Sequence, residues 1–560
     1  MKRLPYGIND YKELITEDYY YVDKTNYLEV LEGISNKKIA YFRPRRFGKT
    51  MFTSMMYYYY DIKSKDMFED LFKDTYIYTA PTDLKNSYYV LKLDFSGMSN
   101  IKTTDVLEIE YKFKNIVKDS VKKFLQYYEL ECDIEYDNRD SAAEIIMKFF
   151  TALNLNYKLY IIIDEYDNFT NSILEDNTEI FKSILGKNGF VKDFYAKIKA
   201  NCGTVVDRVF ITGVCSVSLD SMTSGFNVVT NITNYSIFNA MTALTHEEVK
   251  KVVEEVDKSK KEEIFNVMEE NYDGYKFSYD AEEKVFNPTL VMYYLDYYNK
   301  FNKPTKNLMD SNILSNYKQI ESIIKLNYNN NYNDVLLEVM NNKLISSKLK
   351  ENFELDTRFS RDDIVSMLYY FGYLTIDSYS NDKYNFVFPN KIITDVFNNY
   401  FKNILTDNDI TIDHTRTLEV IEDMAKTGTI DKLNLLVEDT LKEFSNRIFI
   451  GINEKTIQCI YVMLLKNNNI FKVFDEFEVK EGYSDLILIS DSKITNYDFI
   501  IEFKYIKPDK YSEEEVNRRL KEAKNQILSY DSDDRIKFKN KELKKYIVIY
   551  SGKESKIYEV

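Results

Sequence analysis

Lys38-Ile-Ala-Tyr-Phe42, followed directly by Arg43-Pro-Arg-Arg-Phe-Gly-Lys-Thr50, decides how the first half of this chain folds. A short apolar strand, a loop closing on Gly48-Lys49-Thr50 and a helix-compatible run from Met51 stand in the order that a phosphate-binding loop requires. The general pattern is G-x-x-x-x-G-K-[ST], and here Arg43 occupies the place of the first glycine. In such a loop the backbone N–H groups around Arg45, Arg46, Phe47 and Gly48, with the N-terminus of the next helix, cradle phosphate oxygens. Lys49 reaches the β- and γ-phosphates, and the Thr50 hydroxyl completes the coordination of Mg²⁺. Arg43, Arg45 and Arg46 crowd the loop. Three readings stay open for them: extra phosphate contacts, a replacement for the missing glycine turn, or a surface for an acidic partner.

Working outward, Leu159-Tyr-Ile-Ile-Ile163 reads as a buried strand that ends in Asp164-Glu165, 115 residues after Lys49. Asp164 at the carboxyl end of a central strand is placed to serve Mg²⁺, and Glu165 to orient an attacking water. Arg208–Gly213 is a further strand whose exit carries Thr212 and Ser216, where a hydroxyl can sense a γ-phosphate or cap a turn. Tyr88–Asp94 adds a fourth strand. The long helix-periodic segments between these strands predict a parallel sheet with helices on both faces. Whether Arg208 or an arginine from another subunit completes the site stays open.

From about residue 240 the texture turns helical, with Thr245 and Glu248 spaced as a capping box. Residues 360–400 outline a helix (Arg361–Tyr370), a strand (Tyr373–Ile376), a polar turn and a second strand (Tyr384–Phe388), as in a helix-plus-wing module. A last α/β unit follows: Asp485–Ser490, Phe499–Ile506, a charged helix Glu513–Tyr530 and a closing strand Lys545–Tyr550. Asn327–Asn333 and Asn467–Asn469 read as loops. The division expected is a P-loop core over 1–238, a helical lid over 239–300, a helical, winged-helix-like middle over 301–445 and a small α/β domain over 446–560.

Composition narrows the classes. The 560 residues are 44% apolar and 29% charged, which suits a multi-domain globular chain. No apolar run approaches the roughly 18 residues of a membrane span, and no secretory signal is visible, so a cytoplasmic location without membrane contact is expected. Cys132, Cys202, Cys215 and Cys459 show no metal-ligand spacing, and with two histidines they read as reduced thiols. The net charge is −15, yet residues 504–560 hold 15 Lys and Arg against 11 Asp and Glu, leaving the end of the chain basic.

That end carries a second constellation. In Phe499-Ile-Ile-Glu-Phe-Lys-Tyr505, Glu502 and Lys504 leave one face of a strand. Asp485 heads the preceding strand, and folding the two together through Ser490–Asp498 brings it beside Glu502. Two carboxylates on one rim suit Mg²⁺, or Mn²⁺, and a neighbouring lysine can polarise the water that attacks a phosphodiester. Charged residues on an edge strand produce the same pattern by accident. Glu478 and Glu454 are further acids, Gln526 and Tyr530 share a helix face, and Arg518, Arg519, Lys521 and Lys524 offer phosphate contacts.

Tyr21-Val-Asp-Lys-Thr25, Phe42–Thr50, Ile161-Ile-Ile-Asp-Glu-Tyr-Asp167, Phe210-Ile-Thr-Gly-Val214, Ser224-Gly-Phe-Asn227 and Tyr272-Asp-Gly-Tyr-Lys-Phe277 together resemble the predicted AAA-ATPase-like family. In that family a nuclease-like domain of the PD-(D/E)XK superfamily commonly follows. The arginine at the first glycine position belongs to the family's own R-P-R-R-F-G-K-[ST] variant. Glu478-x-x-x-Gly482-x-x-Asp485 and Gln526-x-x-x-Tyr530 resemble superfamily patterns, while Tyr483-Ser484 replaces the Gly-Arg that relatives often carry. The resemblance implies ATP hydrolysis with Mg²⁺, coupled to a metal-dependent nuclease acting on nucleic acid, in defence against foreign genetic elements. The alternative is a nucleotide-switched binding or signalling protein whose nuclease fold is inactive. A homo-oligomer stays open.

Overall fold

The computed structural model describes residues 2–98, 105–153, 158–168, 184, 189–216, 229–305, 307–309, 335, 338, 344–351, 353, 359–397, 414–443, 452–465, 470–479, 482–490, 493–530 and 541–560. The chain divides into two compact units, Met1–Tyr332 with Leu344–Thr394, and Asn333–Lys343 with Asp395–Val560. Ser224–Asn227 and both asparagine loops lie outside the described residues.

The first unit is built on five parallel strands: β1 (Lys38–Phe42), β2 (Tyr89–Asp94), β3 (Leu159–Asp164), β4 (Val206–Gly213) and β5 (Thr230–Asn231). Their order is β2-β3-β4-β1-β5, so β4 separates the strand that feeds the phosphate loop from the one that ends in Asp164. The register pairs Phe42 with Gly213, Tyr41 with Thr212 and Asp94 with Asp164, bringing these carboxyl ends to one edge of the sheet. Open α/β sheets bind ligands at that edge. β3 is buried along its whole length, as a continuous Leu-Tyr-Ile-Ile-Ile run predicts for a parallel strand covered on both faces.

Helices α1 (Tyr11–Thr16), α2 (Lys49–Tyr60), α3 (Val106–Tyr128), α4 (Ala142–Ala152) and α5 (Phe190–Ala200) accompany this sheet. Phe52, Met55, Met56, Tyr59 and Tyr60 of α2 bury against Val90, Tyr160, Ile162 and Phe210 of the strands. Helices α6 (His246–Val256), α7 (Lys261–Tyr272) and α8 (Pro288–Phe301) follow. The expected box at the start of α6 is formed: Thr245 accepts from the Glu248 N–H, and Glu248 accepts from the Thr245 N–H.

The helix-plus-wing outline folds as α9 (Arg361–Tyr370) with β7 (Thr375–Ser380) and β8 (Lys383–Val387), joined by β6 (Ile345–Ser347) in a three-stranded antiparallel sheet. It packs within the first unit, where Gly372, at φ +82°, abuts Pro44 of the phosphate loop.

The second unit contains α10 (His414–Thr427), α11 (Asp431–Glu443), α12 (Glu454–Leu465) and a five-stranded mixed sheet. Its strands are β9 (Lys472–Val479), β10 (Gly482–Ile489), β11 (Tyr497–Ile506), β12 (Glu542–Ser551) and β13 (Glu554–Glu559), with α13 (Glu513–Ser529) between β11 and β12. The order is β13-β12-β11-β10-β9, and among these pairs β11–β12 alone is parallel. Val516, Ala523 and Ile527 of α13 pack on Ile487, Ile500, Ile547 and Ile549. Asp485 stands inside β10 rather than at its head, because pairing with β9 begins three residues earlier, at Gly482.

Candidate nucleotide and metal sites

The phosphate loop owes its shape to backbone angles that only one of its residues adopts cheaply. Gly48 (φ +71°) and Arg46 (φ +68°) are both left-handed and flank Phe47. Left-handed residues alternating with ordinary ones turn successive N–H groups into an anion-binding concavity. Glycine takes that angle freely, whereas at Arg46 it costs about 1–2 kcal/mol. A Cβ on Gly48 would also come within 2.9 Å of the Thr242 carbonyl oxygen.

Arg43 is not a phosphate ligand or an exposed docking residue. It is buried, and its guanidinium donates to the carbonyls of Phe42 (2.9 Å), Thr233 (2.8 Å) and Phe238 (2.8 Å). It also lies 4.4 Å and 4.0 Å from the ring centres of Tyr41 and Phe277. Phe47 is buried edge-on against Tyr275 and Phe277. The Tyr272–Phe277 motif thus grips the loop through two of its side chains. The loop is pinned again at the Arg46 carbonyl, which accepts the Thr289 hydroxyl of α8 at 2.7 Å.

Lys49, the first residue of α2, donates to the carbonyls of Arg43 (3.0 Å) and Pro44 (2.9 Å). Burial holds its ammonium below the usual lysine range, against the pull of Glu165, Asp167 and Asp164. Asp164 is buried and accepts the Thr53 hydroxyl at 3.1 Å. Burial raises its carboxyl, with Lys92 and Lys49 opposing, Asp94 adding to it and the Thr50 hydroxyl bonding it. Glu165 follows at φ +50°, half-buried, its carboxyl raised by burial against the attraction of Lys49. Asp167 holds the exit of β4 by accepting the N–H groups of Val214 and Cys215. Thr212 is buried between the two motifs, and its hydroxyl has no hydrogen-bond partner.

A cavity of about 480 Å³ opens over this loop, and Arg46, Gly48, Lys49, Thr50 and Glu165 line it beside Tyr6, Tyr20, Lys24 and Met292. That volume suits a small-molecule ligand. Thr50 in the cavity wall, and Asp164 buried behind it and bonded to the Thr50 and Thr53 hydroxyls, are the oxygen donors that would hold Mg²⁺.

Of the expected residues, Arg45, Phe47, Asp164 and Thr212 are not part of the cavity wall, and Ser216 and Arg208 are engaged elsewhere. Ser216 donates to the Glu351 carbonyl at 2.7 Å. Arg208 sits four residues before Thr212 in β4, about 13 Å along the strand, where its Nε meets the Tyr88 hydroxyl at 3.3 Å. Thr53, one turn beyond Thr50, was legible from helix spacing. The pair of buried Lys24 with half-buried Glu248 (2.6 Å) joins residues 224 apart and had no local signal.

In the second unit, β10–β11 pairing runs to Leu486 opposite Ile501, and Asp485, the residue before Leu486, acts electrostatically on Glu502. Asp485 accepts the Phe503 N–H at 2.8 Å, and Gln458 of α12 donates to its carbonyl oxygen. Lys504 Nζ lies 3.0 Å from Glu502 and 3.5 Å from Glu454. The Tyr530 hydroxyl donates to the other Glu502 oxygen at 3.2 Å. Burial first, then the charge of Asp485, pushes the Glu502 carboxyl up to about 7. Burial lowers Lys504, but Glu502, Glu454 and Asp485 outweigh it and raise the ammonium above its usual range. Burial raises Glu454 as well, with Lys504 opposing.

Other expected contributors to this rim stand differently. Gln526 is exposed, one turn before Tyr530. Arg518 is paired with Glu515 (2.5 Å) and Glu522 (2.6 Å), and Arg519 with Glu515 (3.1 Å), so neither presents a bare charge to phosphate. The helix's own i, i+3 and i, i+4 spacing brings these partners together. Lys521 and Lys524 are exposed. The Glu478 backbone pairs with Tyr483, and its side chain lies outside the described residues.

Two carboxylates, Asp485 and Glu502, the latter raised by burial and then by the charge of Asp485, form a hard-oxygen donor set that fits a magnesium-like ion. Among the described residues no group of three or more His, Cys, Asp or Glu side chains is assembled for a metal. Mg²⁺ itself commonly binds through one or two carboxylates and water.

Residues 5–223 match the family model described as a predicted AAA-ATPase, and residues 452–560 match that of the PD-(D/E)XK nuclease superfamily. The first part of the chain is thus similar to an AAA-ATPase-like domain and the last part to a PD-(D/E)XK superfamily domain. A curated protein from Azotobacter chroococcum mcd 1, described as an uncharacterized protein in the vnfD 5′ region, is 27% identical over 295 residues, covering 51% of this chain and 50% of that one. The chain thus spans about half the length of the curated relative it matches. Among solved structures, the crystal structure of Cdc6p from Pyrobaculum aerophilum aligns with 68% of this chain and 93% of its own at 11% identity, with a TM-score of 0.25. No helix among the described residues is long and apolar enough to cross a membrane.

Proposed function

We propose that the first unit binds and hydrolyses ATP and that the second cleaves phosphodiester bonds in nucleic acid. The observation that carries the first half is one cavity wall holding Lys49, the left-handed loop amides and Glu165 together. The loop N–H groups and the α2 N-terminus bind phosphate oxygens. Lys49 exchanges two carbonyl partners for the terminal phosphates, and Glu165 orients a water toward the γ-phosphorus. Thr212, with its buried free hydroxyl, senses the phosphate leaving.

In the second unit, Asp485 and Glu502 would hold Mg²⁺ or Mn²⁺, which supplies charge stabilisation at the scissile phosphate. Lys504, kept charged by Glu502 and Glu454, orients the attacking water, and Tyr530 fixes the rotamer of Glu502. A place in defence against foreign genetic elements, the four-part domain division, a cytoplasmic location and self-association belong to this same reading.

The test is Mg²⁺-dependent cleavage of varied DNA and RNA with and without ATP, comparing the natural chain with Asp485→Ala and Lys504→Ala. Loss of cleavage in both variants is expected; cleavage equal to that of the natural chain would remove the second site. The paired state of Arg518 and Arg519 favours one rival, a nucleotide-switched binding protein with an inactive nuclease fold. High steady ATP turnover that Glu165→Gln abolishes supports the hydrolase. Tight ATP binding with negligible turnover supports the switch.

A further inference from the structure

Charge developing on a γ-phosphate during hydrolysis is commonly met by an arginine, supplied either by the same chain or by a neighbouring copy. The described arginines of the first unit separate cleanly by place. Arg43 is consumed in the carbonyl and aromatic cage beneath the loop. Arg45 donates to Asn168 at 3.3 Å and is not part of the cavity wall. Arg208 lies toward the other end of β4, and Arg3, Arg139 and Arg361 line no part of the cavity. Arg46 lines it.

Two further observations single out Arg46. Among the described non-glycine residues at positive φ, Arg46 and Glu165 are the pair that line this cavity. Strained backbone of this kind concentrates at functional sites, where the surrounding structure holds it. The strain is held here: the Arg46 carbonyl is bonded by Thr289, and its neighbours Phe47 and Gly48 are packed against Tyr275 and Thr242. A glycine would make the same turn freely, so an arginine at this position is explained by its side chain rather than by the loop's shape.

The geometry points to Arg46 as the arginine that contacts the terminal phosphates of the bound nucleotide, so that the chain carries its own catalytic cation and needs no second copy to complete the site. The inference rests on the ATP reading of this cavity. In the step concerned, a water oxygen bonds to the γ-phosphorus as the bond to the β,γ-bridging oxygen breaks. ADP leaves with that bonding pair, and the water's proton passes to the Glu165 carboxylate. The Arg46 guanidinium donates to the oxygens on which negative charge grows.

The experiment compares the natural chain, Arg46→Gly and Arg46→Ala in ATP binding, steady-state hydrolysis and thermal unfolding without nucleotide. Arg46→Gly should bind ATP within a few-fold of the natural affinity and unfold at the same or a higher temperature. Its kcat should nonetheless fall on the order of a hundredfold or more. A merely structural arginine would not separate stability from turnover in this way. Turnover per molecule in the natural chain should be independent of protein concentration. Mixing Arg46→Gly with Glu165→Gln, which keeps Arg46 but lacks its own base, should restore nothing. A kcat within threefold of natural in Arg46→Gly, or recovery on mixing, would overturn the inference. Loss of ATP binding in Lys49→Ala tests the underlying nucleotide reading separately, whatever the Arg46 variants do.

Discussion

Each unit holds a buried lysine at the centre of its site, and the two are held in opposite ways. Lys49 rests on two neutral carbonyls, and burial pulls its ammonium below the ordinary range. Lys504 rests against Glu502 and Glu454, which lift it above that range despite burial. In the first site Lys49 and the loop amides make a phosphate cradle suited to a polyanion, although Glu165, Asp167 and Asp164 act on the same lysine. The second has excess carboxylate charge and is suited to a cation. Backbone amides and a helix end build the first; side chains across a strand pair build the second.

The sharpest way to break this contrast is to remove the lysines one at a time. Lys49→Ala should cut ATP hydrolysis on the order of 100- to 1000-fold and leave metal-dependent cleavage measured without ATP unchanged. Lys504→Ala should do the reverse. Crossed effects in both assays would mean that the two chemistries are not separately housed.

Removing the arginine beneath the loop should act on stability. Arg43→Met leaves the buried Thr233 and Phe238 carbonyls without their donor, so chemical denaturation should show a loss of about 4 kcal/mol in the first unit. An unchanged midpoint would show that the cage is not what holds the loop.

The carboxylate excess should be visible as a pH dependence. With chelator present, the raised Glu502 carboxyl keeps its proton in the folded state up to about pH 7, while in the unfolded chain it loses it near 4.5. Its contribution is therefore complete below about 4.5 and lost as pH rises through 7, a span of at most about 3–4 kcal/mol. Glu502→Gln should flatten that slope in denaturation curves of the second unit. Gly372→Ala is the smallest change, about 1–2 kcal/mol, because its left-handed angle and the Pro44 ring 2.7 Å from a Cβ both resist a side chain.

Much of this arrangement was legible in the sequence, for identifiable reasons. The strand-loop-helix around Gly48-Lys49-Thr50 and the run ending in Asp164-Glu165 are local patterns, and their strands fall at Lys38–Phe42 and Leu159–Asp164. Period-2 alternation was enough to put Glu502 and Lys504 on one face. Short or polar strands such as Thr230–Asn231, Lys472–Val479 and Glu554–Glu559 escaped, because pairing partners define them more than composition does. The fate of Arg43 was equally hidden. Its cage is made by Thr233, Phe238 and Phe277, about 190 or more residues along the chain, and an arginine beside a phosphate loop reads locally as a ligand. Likewise Arg518 and Arg519 looked free until their helical neighbours Glu515 and Glu522 were seen to hold them.

Calorimetric titration of Mg·ATP and, separately, of Mn²⁺ into the natural chain, Lys49→Ala and Asp485→Ala tests the two-site account most directly. Lys49→Ala should lose ATP and keep the ion, and Asp485→Ala should keep ATP and lose the ion. A natural chain that binds neither ligand, or one variant that loses both, would contradict it.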